Sequence, residues 1–235
     1  QIAMENIHSE VYTQLIQTFE KNKERRDALF RSIDECVAVK AKSDWASSWI
    51  KSDAPFAERL VAFAAVEGIL FSASFCAIFY FRKRGFPLPG LYQSNEYISR
   101  DEAMHCQFAC MLHRQLQAHN RCSPARVREI IASAVDVERI FVREALARPI
   151  IGMNSGVMIQ YVEYVADVLL RMLDCEPLFN VANPFPWMET ISISTKSNFF
   201  ERRVTDYALA GVKTQAAGDR PAAVEERVFK TDDDF

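Results

Sequence analysis

The stretch LVAFAAVEGILFSASFCAIF, residues 60–79, constrains the fold more than any other feature of the sequence. Its only charged residue is Glu67, and an apolar run of this length can cross a membrane. A carboxylate near the middle of such a span is costly, however, and the sequence contains no second run of this kind. A helix that is apolar on all sides is also typical of the centre of a helix bundle. We therefore expect a buried central helix and no membrane span.

The composition supports a helical globular protein. The chain has 235 residues, of which 49% are hydrophobic and only 7 are Gly and 9 Pro, which is enough for one domain with a sizeable core and too few turn residues for a sandwich. The net charge is −3 and no basic stripe stands out, so we expect no nucleic-acid partner. The six cysteines contain no CxxC pair, which favours a reduced, intracellular chain.

Most of the sequence is predicted to form consecutive helices. The predicted ranges are about 2–20, 25–36, 42–51, 57–84, 94–119, 124–148 and 153–173. The Gly and Pro residues of KRGFPLPGLY are expected to end the central helix and to form an extended loop. Ser123 and Pro124 have the residue types of a helix N-cap and first helical position.

The chain is predicted to divide into a helical domain, residues 1–210, and a disordered tail, residues 211–235. From Gly211 onward the sequence is polar, with few large apolar residues before its end. The terminal FKTDDDF combines two Phe with three Asp. An acidic end of this kind is either simply solvated or a docking peptide, and the flanking Phe residues favour docking.

Two of the four histidines occur in the same local pattern. Glu5 precedes His8 by three residues, and Glu102 precedes His105 by three. On a helix, residues three apart lie on the same side, one turn apart, so each pair can contribute a carboxylate and an imidazole to one metal ion. One such pair is a weak signal, but two pairs on separate helices are typical of di-iron helix bundles.

Glu67 is the third expected contributor. Such bundles require further Glu ligands from the remaining helices, and an unpaired carboxylate in the apolar run would be costly. A buried Lys or Arg partner for Glu67 is the alternative explanation. Carboxylate-rich ligation with two imidazoles suits iron, and also manganese, better than zinc.

Tyr12 is predicted to face the same metal site. Residues 5, 8 and 12 lie within about 60° of one another on a helix, and Tyr12 is about 6 Å along the axis from His8. A phenol next to a metal pair that activates oxygen is an oxidisable group. A core tyrosine with a hydrogen-bonded hydroxyl is the alternative.

Several long motifs resemble one known family. They are QIAMENIHSEVY, ERLVAFAAVEGILFSASF, LPGLYQSNEYISRDEAMHC, IGMNSGVMIQYVEYVAD, NPFPWME, KSNFFERRVTDY and the terminal FKTDDDF. Together they resemble the radical-generating small subunit of eukaryotic class I ribonucleotide reductase. The resemblance implies an all-α, ferritin-like helical bundle in the cytoplasm. It also implies a homodimer and a partner, the large subunit, on which ribonucleotides are reduced to deoxyribonucleotides.

The resemblance also implies roles for particular residues. Two iron ions, oxidised by oxygen, would be held by the family ligands, which match Glu5, His8, Glu67, Glu102 and His105. Tyr12 matches the tyrosine that carries the stable radical, and Phe71 and Phe75 match residues that shield it. Asp101 and Tyr207 match radical-transfer residues, Asp101 by bonding a ligating histidine. The docking peptide matches Phe229, Asp232, Asp233, Asp234 and Phe235.

The sequence departs from the family pattern at one point. The family takes a sixth ligand, an aspartate, and a radical-path tryptophan from residues upstream of the position that matches Gln1, and Trp45, Trp49 and Trp187 do not match that tryptophan's motif. We therefore expect a piece of a longer protein. Two alternatives stay open: a ferritin-like di-iron oxidase or ferroxidase, and a catalytically incomplete paralogue that only binds the large subunit.

Overall fold

The structure, a computed structural model, describes residues 1–188. The predicted boundary between residues 210 and 211, Tyr207 and the docking peptide lie outside these residues. Nine α-helices occur within the described range: α1 (Ile2–Phe19), α2 (Lys23–Phe30), α3 (Ser32–Glu35), α4 (Val37–Lys51), α5 (Phe56–Gly68), α6 (Ser72–Lys83), α7 (Pro89–Gln115), α8 (Pro124–Ala145) and α9 (Ser155–Met172). The prediction of an all-α helical bundle is confirmed.

Helix α5 is the centre of the bundle. It packs against α4, α7, α8 and α9, and Ala62, Ala64 and Ala65 are completely or almost completely buried. Their small side chains let neighbouring helices approach on several sides, as expected for a helix that is apolar all round. The stretch Phe56–Lys83 still meets the length and composition of a membrane span, but 56% of the apolar 18-residue window within it is buried inside the bundle, which is typical of a core helix.

The prediction of one continuous helix over residues 57–84 is wrong. α5 ends at Gly68 and α6 begins at Ser72. The N–H groups of Ile69 and Leu70 both donate to the Ala65 carbonyl, at 2.9 and 3.3 Å, and the Ser72 N–H donates to the Ile69 carbonyl at 3.0 Å. The regular i to i−4 pattern is therefore interrupted for one turn, directly after Glu67.

The start of α7 was also predicted too late. It begins at Pro89, which occupies the first turn, and the Tyr92 N–H donates to the Leu88 carbonyl at 3.1 Å. Proline is tolerated there because the first N–H groups of a helix have no partner within it. Only the first proline of KRGFPLPGLY therefore lies in the connecting loop.

The other helix limits differ by a few residues. The predicted helix 25–36 is two helices, α2 and α3, separated at Arg31, and α8 ends at Ala145 rather than near Arg148. The predicted cap of α8 is present, since the Ser123 side chain accepts a hydrogen bond from the Arg126 N–H. At α9 the Asn154 side chain caps the helix in the same way.

Side chains elsewhere fit the predicted interior. Trp45 and Trp49 pack against the core, with ring centroids 6.0 Å apart. No disulfide joins the six cysteines, all of which lie in the described residues.

Candidate metal centre

The two Glu-x-x-His pairs lie on α1 and α7 and face each other. His105 Nδ1 lies 3.1 Å from Glu5 Oε1 of the other helix and 3.2 Å from Glu102 Oε2 of its own. His8 Nδ1 lies 3.1 Å from Glu102 Oε1. Each pair is fixed locally by the helical spacing of its two residues, and the packing of α1 on α7 then joins the pairs into one site.

Glu67 reaches this site from the last turn of α5. One potential ligand atom from each of Glu5, Glu67, Glu102 and His105 lies within 4.8 Å of the others. Three of these residues are buried, whereas the Glu5 side chain is 45% exposed. Three helices thus place three carboxylates and one imidazole where a single cation could contact them all.

The shifted pKa of Glu67 shows why this cluster of three carboxylates and one histidine favours a bound cation. Burial raises its pKa to about 9, and a hydrogen bond with Glu102 and the negative charges of Glu102 and Glu5 add to the shift. Apart from burial, the groups that shift the pKa of Glu67 are Glu102 and Glu5, both of them acids. The alternative of a buried Lys or Arg partner therefore has no support in the electrostatics of Glu67.

His8 adjoins the group and has one ring nitrogen free to ligate. Its Nε2 is 3.1 Å from Asp101 Oδ2, so Asp101 lies against the histidine as the family resemblance implies. Its Nδ1 is buried and has no hydrogen-bond partner. Burial lowers the pKa of His8, but the hydrogen bond to Asp101 and the charges of Glu102 and Glu5 outweigh it and raise the pKa. A buried nitrogen that faces a carboxylate without a hydrogen bond fits a metal ligand, and so the residues present fit a metal centre.

Tyr12 lies one turn further along α1. The residue is 36% exposed, and the burial of the remaining part raises its pKa to about 12, with the charges of Glu102 and Glu5 contributing to the shift. The ring centroids of Phe71 and Phe75 are 6.2 Å apart. Phe71 is 41% exposed, and the assignment of these two rings as a shield for Tyr12 stays a prediction.

Sequence reasoning missed two charged residues, one of which contacts Leu70, three residues after Glu67. Lys42 of α4 and Glu138 of α8 form an ion pair of 2.7 Å, and the Glu138 side chain is fully buried. A signal for Glu138 was present in the sequence, because it lies on the apolar face of α8 between Val135 and Val142. Its partner could not be identified from the sequence, since Lys42 is 96 positions away (138 − 42).

Comparison with known proteins decides the family. The family described as "Ribonucleotide reductase, small chain" matches residues 1–184. The chain belongs to the ribonucleotide reductase small chain family. It is 48% identical to a ribonucleoside-diphosphate reductase small chain of Arabidopsis thaliana over its whole length, and 49% identical to subunit M2 of that enzyme from Homo sapiens.

Solved structures agree with this assignment. A ribonucleotide reductase homodimer from Saccharomyces cerevisiae superposes with a TM-score of 0.71 at 34% identity, over 83% of this chain and 63% of that one. The described residues therefore form the ferritin-like bundle of ribonucleotide reductase small chains, as predicted. The chain spans 69% of the Arabidopsis relative and 58% of the human one.

Proposed function

We propose that this chain is a radical-generating small subunit of ribonucleoside-diphosphate reductase. The observation that carries the proposal is the convergence of Glu5, Glu67, Glu102 and His105 from three helices, with Tyr12 one turn beyond His8 on α1. A metal site alone would fit many helical bundles, whereas a tyrosine within the electric field of its ligands provides a residue to oxidise.

The protein's own residues would divide the work as follows. The three carboxylates and His105, together with Nδ1 of His8, would hold two iron ions, for which manganese is the alternative. When bound, the metal pair supplies the activation of oxygen that removes one electron from Tyr12. A phenol keeps its proton at neutral pH, and at Tyr12 the raised pKa of about 12 reinforces this. Its oxidation therefore releases a proton as well as an electron.

Transfer of the radical would use residues on both sides of the described boundary. The Asp101 carboxylate contacts Nε2 of His8. It therefore links this histidine of the metal site to α7. Tyr207 and the docking residues Phe229, Asp232, Asp233, Asp234 and Phe235 would continue the transfer to a large subunit. The small subunit is proposed to act as a homodimer, since the Saccharomyces cerevisiae neighbour is a homodimer.

The test compares Tyr12→Phe with the unchanged residue in a protein of the relatives' full length, because the family resemblance implies a sixth ligand upstream of the position that matches Gln1. Both proteins are loaded with Fe(II) without oxygen, exposed to oxygen, and examined by electron paramagnetic resonance with iron counted per chain. We expect a tyrosyl signal in the unchanged protein, no tyrosyl signal in the variant because the residue to be oxidised is gone, and equal iron in both.

Tyr92→Phe is the matched control. Tyr92 is a buried tyrosine of α7 whose hydroxyl has no hydrogen-bond partner, so its loss should leave the signal unchanged. A signal that survives Tyr12→Phe would contradict the radical assignment. Repeated Fe(II) oxidation without any tyrosyl signal would favour the oxidase or ferroxidase alternative, and absence of bound iron would favour the binding-only paralogue.

A further inference from the structure

The interruption between α5 and α6 leaves the Leu70 carbonyl without the backbone partner that a continuous helix would supply. Leu70 is buried, and its carbonyl accepts from the Lys42 Nζ at 2.7 Å. Buried backbone groups without partners are costly, so Lys42 satisfies the carbonyl that the interruption leaves free.

Lys42 and Glu138 form an ion pair between distant helices. Lys42 of α4 lies 2.7 Å from Glu138 of α8, and their side chains are 15% and 0% exposed. The Lys42 Nζ also lies 3.5 Å from the centroid of the Phe141 ring. One ammonium group therefore joins α4, α8 and the end of α5.

A gain in stability does not explain why a buried ion pair is present here. The attraction between two buried charges is largely offset by the cost of removing both from water, and apolar residues of the same volume are often as stable. A buried pair does restrict the geometry of the groups that it contacts. Here the backbone group that the pair contacts is the Leu70 carbonyl, within the interruption.

The interruption begins two residues after a metal-site carboxylate. Glu67 is the second-last residue of α5, and Phe71 directly precedes α6. A helix that continued through residues 69–71 would follow a different path beyond Gly68, and the packing that sets the direction of the Glu67 side chain would change with it. The position of Glu67 relative to Glu102 therefore depends on where the helix is interrupted.

We propose that Lys42 and Glu138 are positioning residues that fix the interruption between α5 and α6 and thereby direct Glu67 into the metal site. Lys42 acts through the Leu70 carbonyl, and Glu138 acts by holding the Lys42 ammonium in place. This inference rests on the proposed function, because it assigns the pair to the assembly of the same metal centre.

The test uses the full 235-residue chain and the double variant Lys42→Met, Glu138→Leu, which removes both charges and leaves neither unpaired. Co(II) is titrated into each protein, and its affinity and visible absorption spectrum are measured. Amide hydrogen exchange of residues 67–74 is followed without metal. We expect Co(II) to bind about 10-fold more weakly, the effect typical of residues that support metal ligands, with an altered spectrum and faster exchange at residues 67–74.

Asp167→Asn is the control for a purely structural effect. Asp167 is another fully buried acid, and it accepts hydrogen bonds from the N–H groups of residues 178–180, away from the interruption. This variant should be destabilised but should bind Co(II) with unchanged affinity and spectrum. If both variants lose affinity to the same extent, the effect is general destabilisation and the inference is wrong.

The remaining outcomes are equally decisive. Unchanged Co(II) affinity and spectrum in the double variant overturn the inference, whatever the exchange shows. If the unchanged chain does not bind Co(II), the proposed metal function fails, and hydrogen exchange alone decides on the pair. Faster exchange confined to residues 67–74 would then support a pair that fixes the interruption, and unchanged exchange would overturn it.

Discussion

Two fully buried acids of this bundle are stabilised in different ways. Asp167 of α9 accepts three backbone hydrogen bonds, from Leu178, Phe179 and Asn180, at 2.7 to 3.0 Å. Glu138 is paired with the single ammonium of Lys42. Several N–H donors can replace the water molecules that a carboxylate loses on burial. A single cation in an apolar setting compensates only part of the free energy that this loss of water costs. Glu138 is therefore the acid for which we expect a stability that depends on pH.

The free energy of unfolding should fall as the pH rises from about 4.5 to about 7. Burial raises the pKa of Glu138 from 4.5 to about 7, although the charge of Lys42 partly opposes the shift. Below the unfolded pKa both states hold the proton, and the stabilisation is fully present. As the pH rises the unfolded state loses its proton first, which costs at most about 1.4 kcal/mol per pH unit. Urea denaturation at several pH values measures the slope.

The Lys42→Met, Glu138→Leu variant supplies the reference for this slope. Other acids titrate in the same range, so the quantity of interest is the difference in stability between the unchanged chain and the variant. Between pH 5 and 6.5, the unchanged chain should lose about 1 kcal/mol of stability per pH unit relative to the variant. A difference independent of pH would show that Glu138 keeps an ordinary pKa.

At the residue scale, the sequence identifies candidate site residues more reliably than it identifies which of them contact one another. The spacing of Glu5 and His8, and of Glu102 and His105, places each pair on one side of a helix without any tertiary information. The contact of His105 with Glu5 across 100 positions (105 − 5) depends on how α1 packs on α7. The Lys42–Glu138 pair was missed for the same reason, because neither local sequence predicts the other residue.

At the scale of the helix, Gly68 explains how closely α5 approaches α7. A Cβ atom added at Gly68 would lie 2.9 Å from the Sγ of Cys106, which is tighter than real contacts allow, and 3.6 Å from the Cδ2 of Leu169. Glycine is unfavourable inside a helix. At this position it permits a separation of α5 and α7 that no larger residue would. The same separation brings Glu67 to Glu102.

Gly68→Ala should destabilise the protein only while Cys106 is present. Crowding costs about 1–3 kcal/mol, and alanine gains about 1 kcal/mol over glycine in a helix, so we expect a net loss of up to about 2 kcal/mol. In a Cys106→Ala background the nearest sulfur is gone, and the same substitution should stabilise by up to about 1 kcal/mol. Urea denaturation of the four proteins gives the complete cycle. A loss of the same size in both backgrounds would mean that Cys106 does not limit the packing.

The helices themselves were predictable, and their interruptions were not. Apolar periodicity gives most of the helix positions, and the N-cap type of Ser123 gives the start of α8. The interruption after Gly68 has no proline to mark it, and a single glycine within a helical pattern is usually tolerated. Its position depends on Lys42 and Glu138, which come from two other helices, so no local pattern could locate it.

For the molecule as a whole, α1 is the helix most dependent on the metal centre. His8 is its only buried residue among those described, and Ile2 and Ile7 are 84% and 51% exposed. Its contacts with α7 include the polar ones of Glu5 and His8 with Asp101, Glu102 and His105. Without a cation, acids from three helices are brought together at the site, and like charges at short distance repel. A bound metal should therefore stabilise the bundle and attach α1 to it.

We expect Mn(II), at about 100 times its dissociation constant, to raise the melting temperature by roughly 5–10 °C. This follows from a stabilisation of about 2.7 kcal/mol and a shift of about 2–4 °C per kcal/mol for a chain of this size. Hydrogen exchange should slow more in α1 than in α8, which is already held by its buried residues. A chelator should reverse both effects, and Glu67→Gln should greatly reduce them, because the variant loses one ligand oxygen and its charge. Equal protection of α1 and α8 on metal binding would show that α1 is held to the bundle by its other contacts.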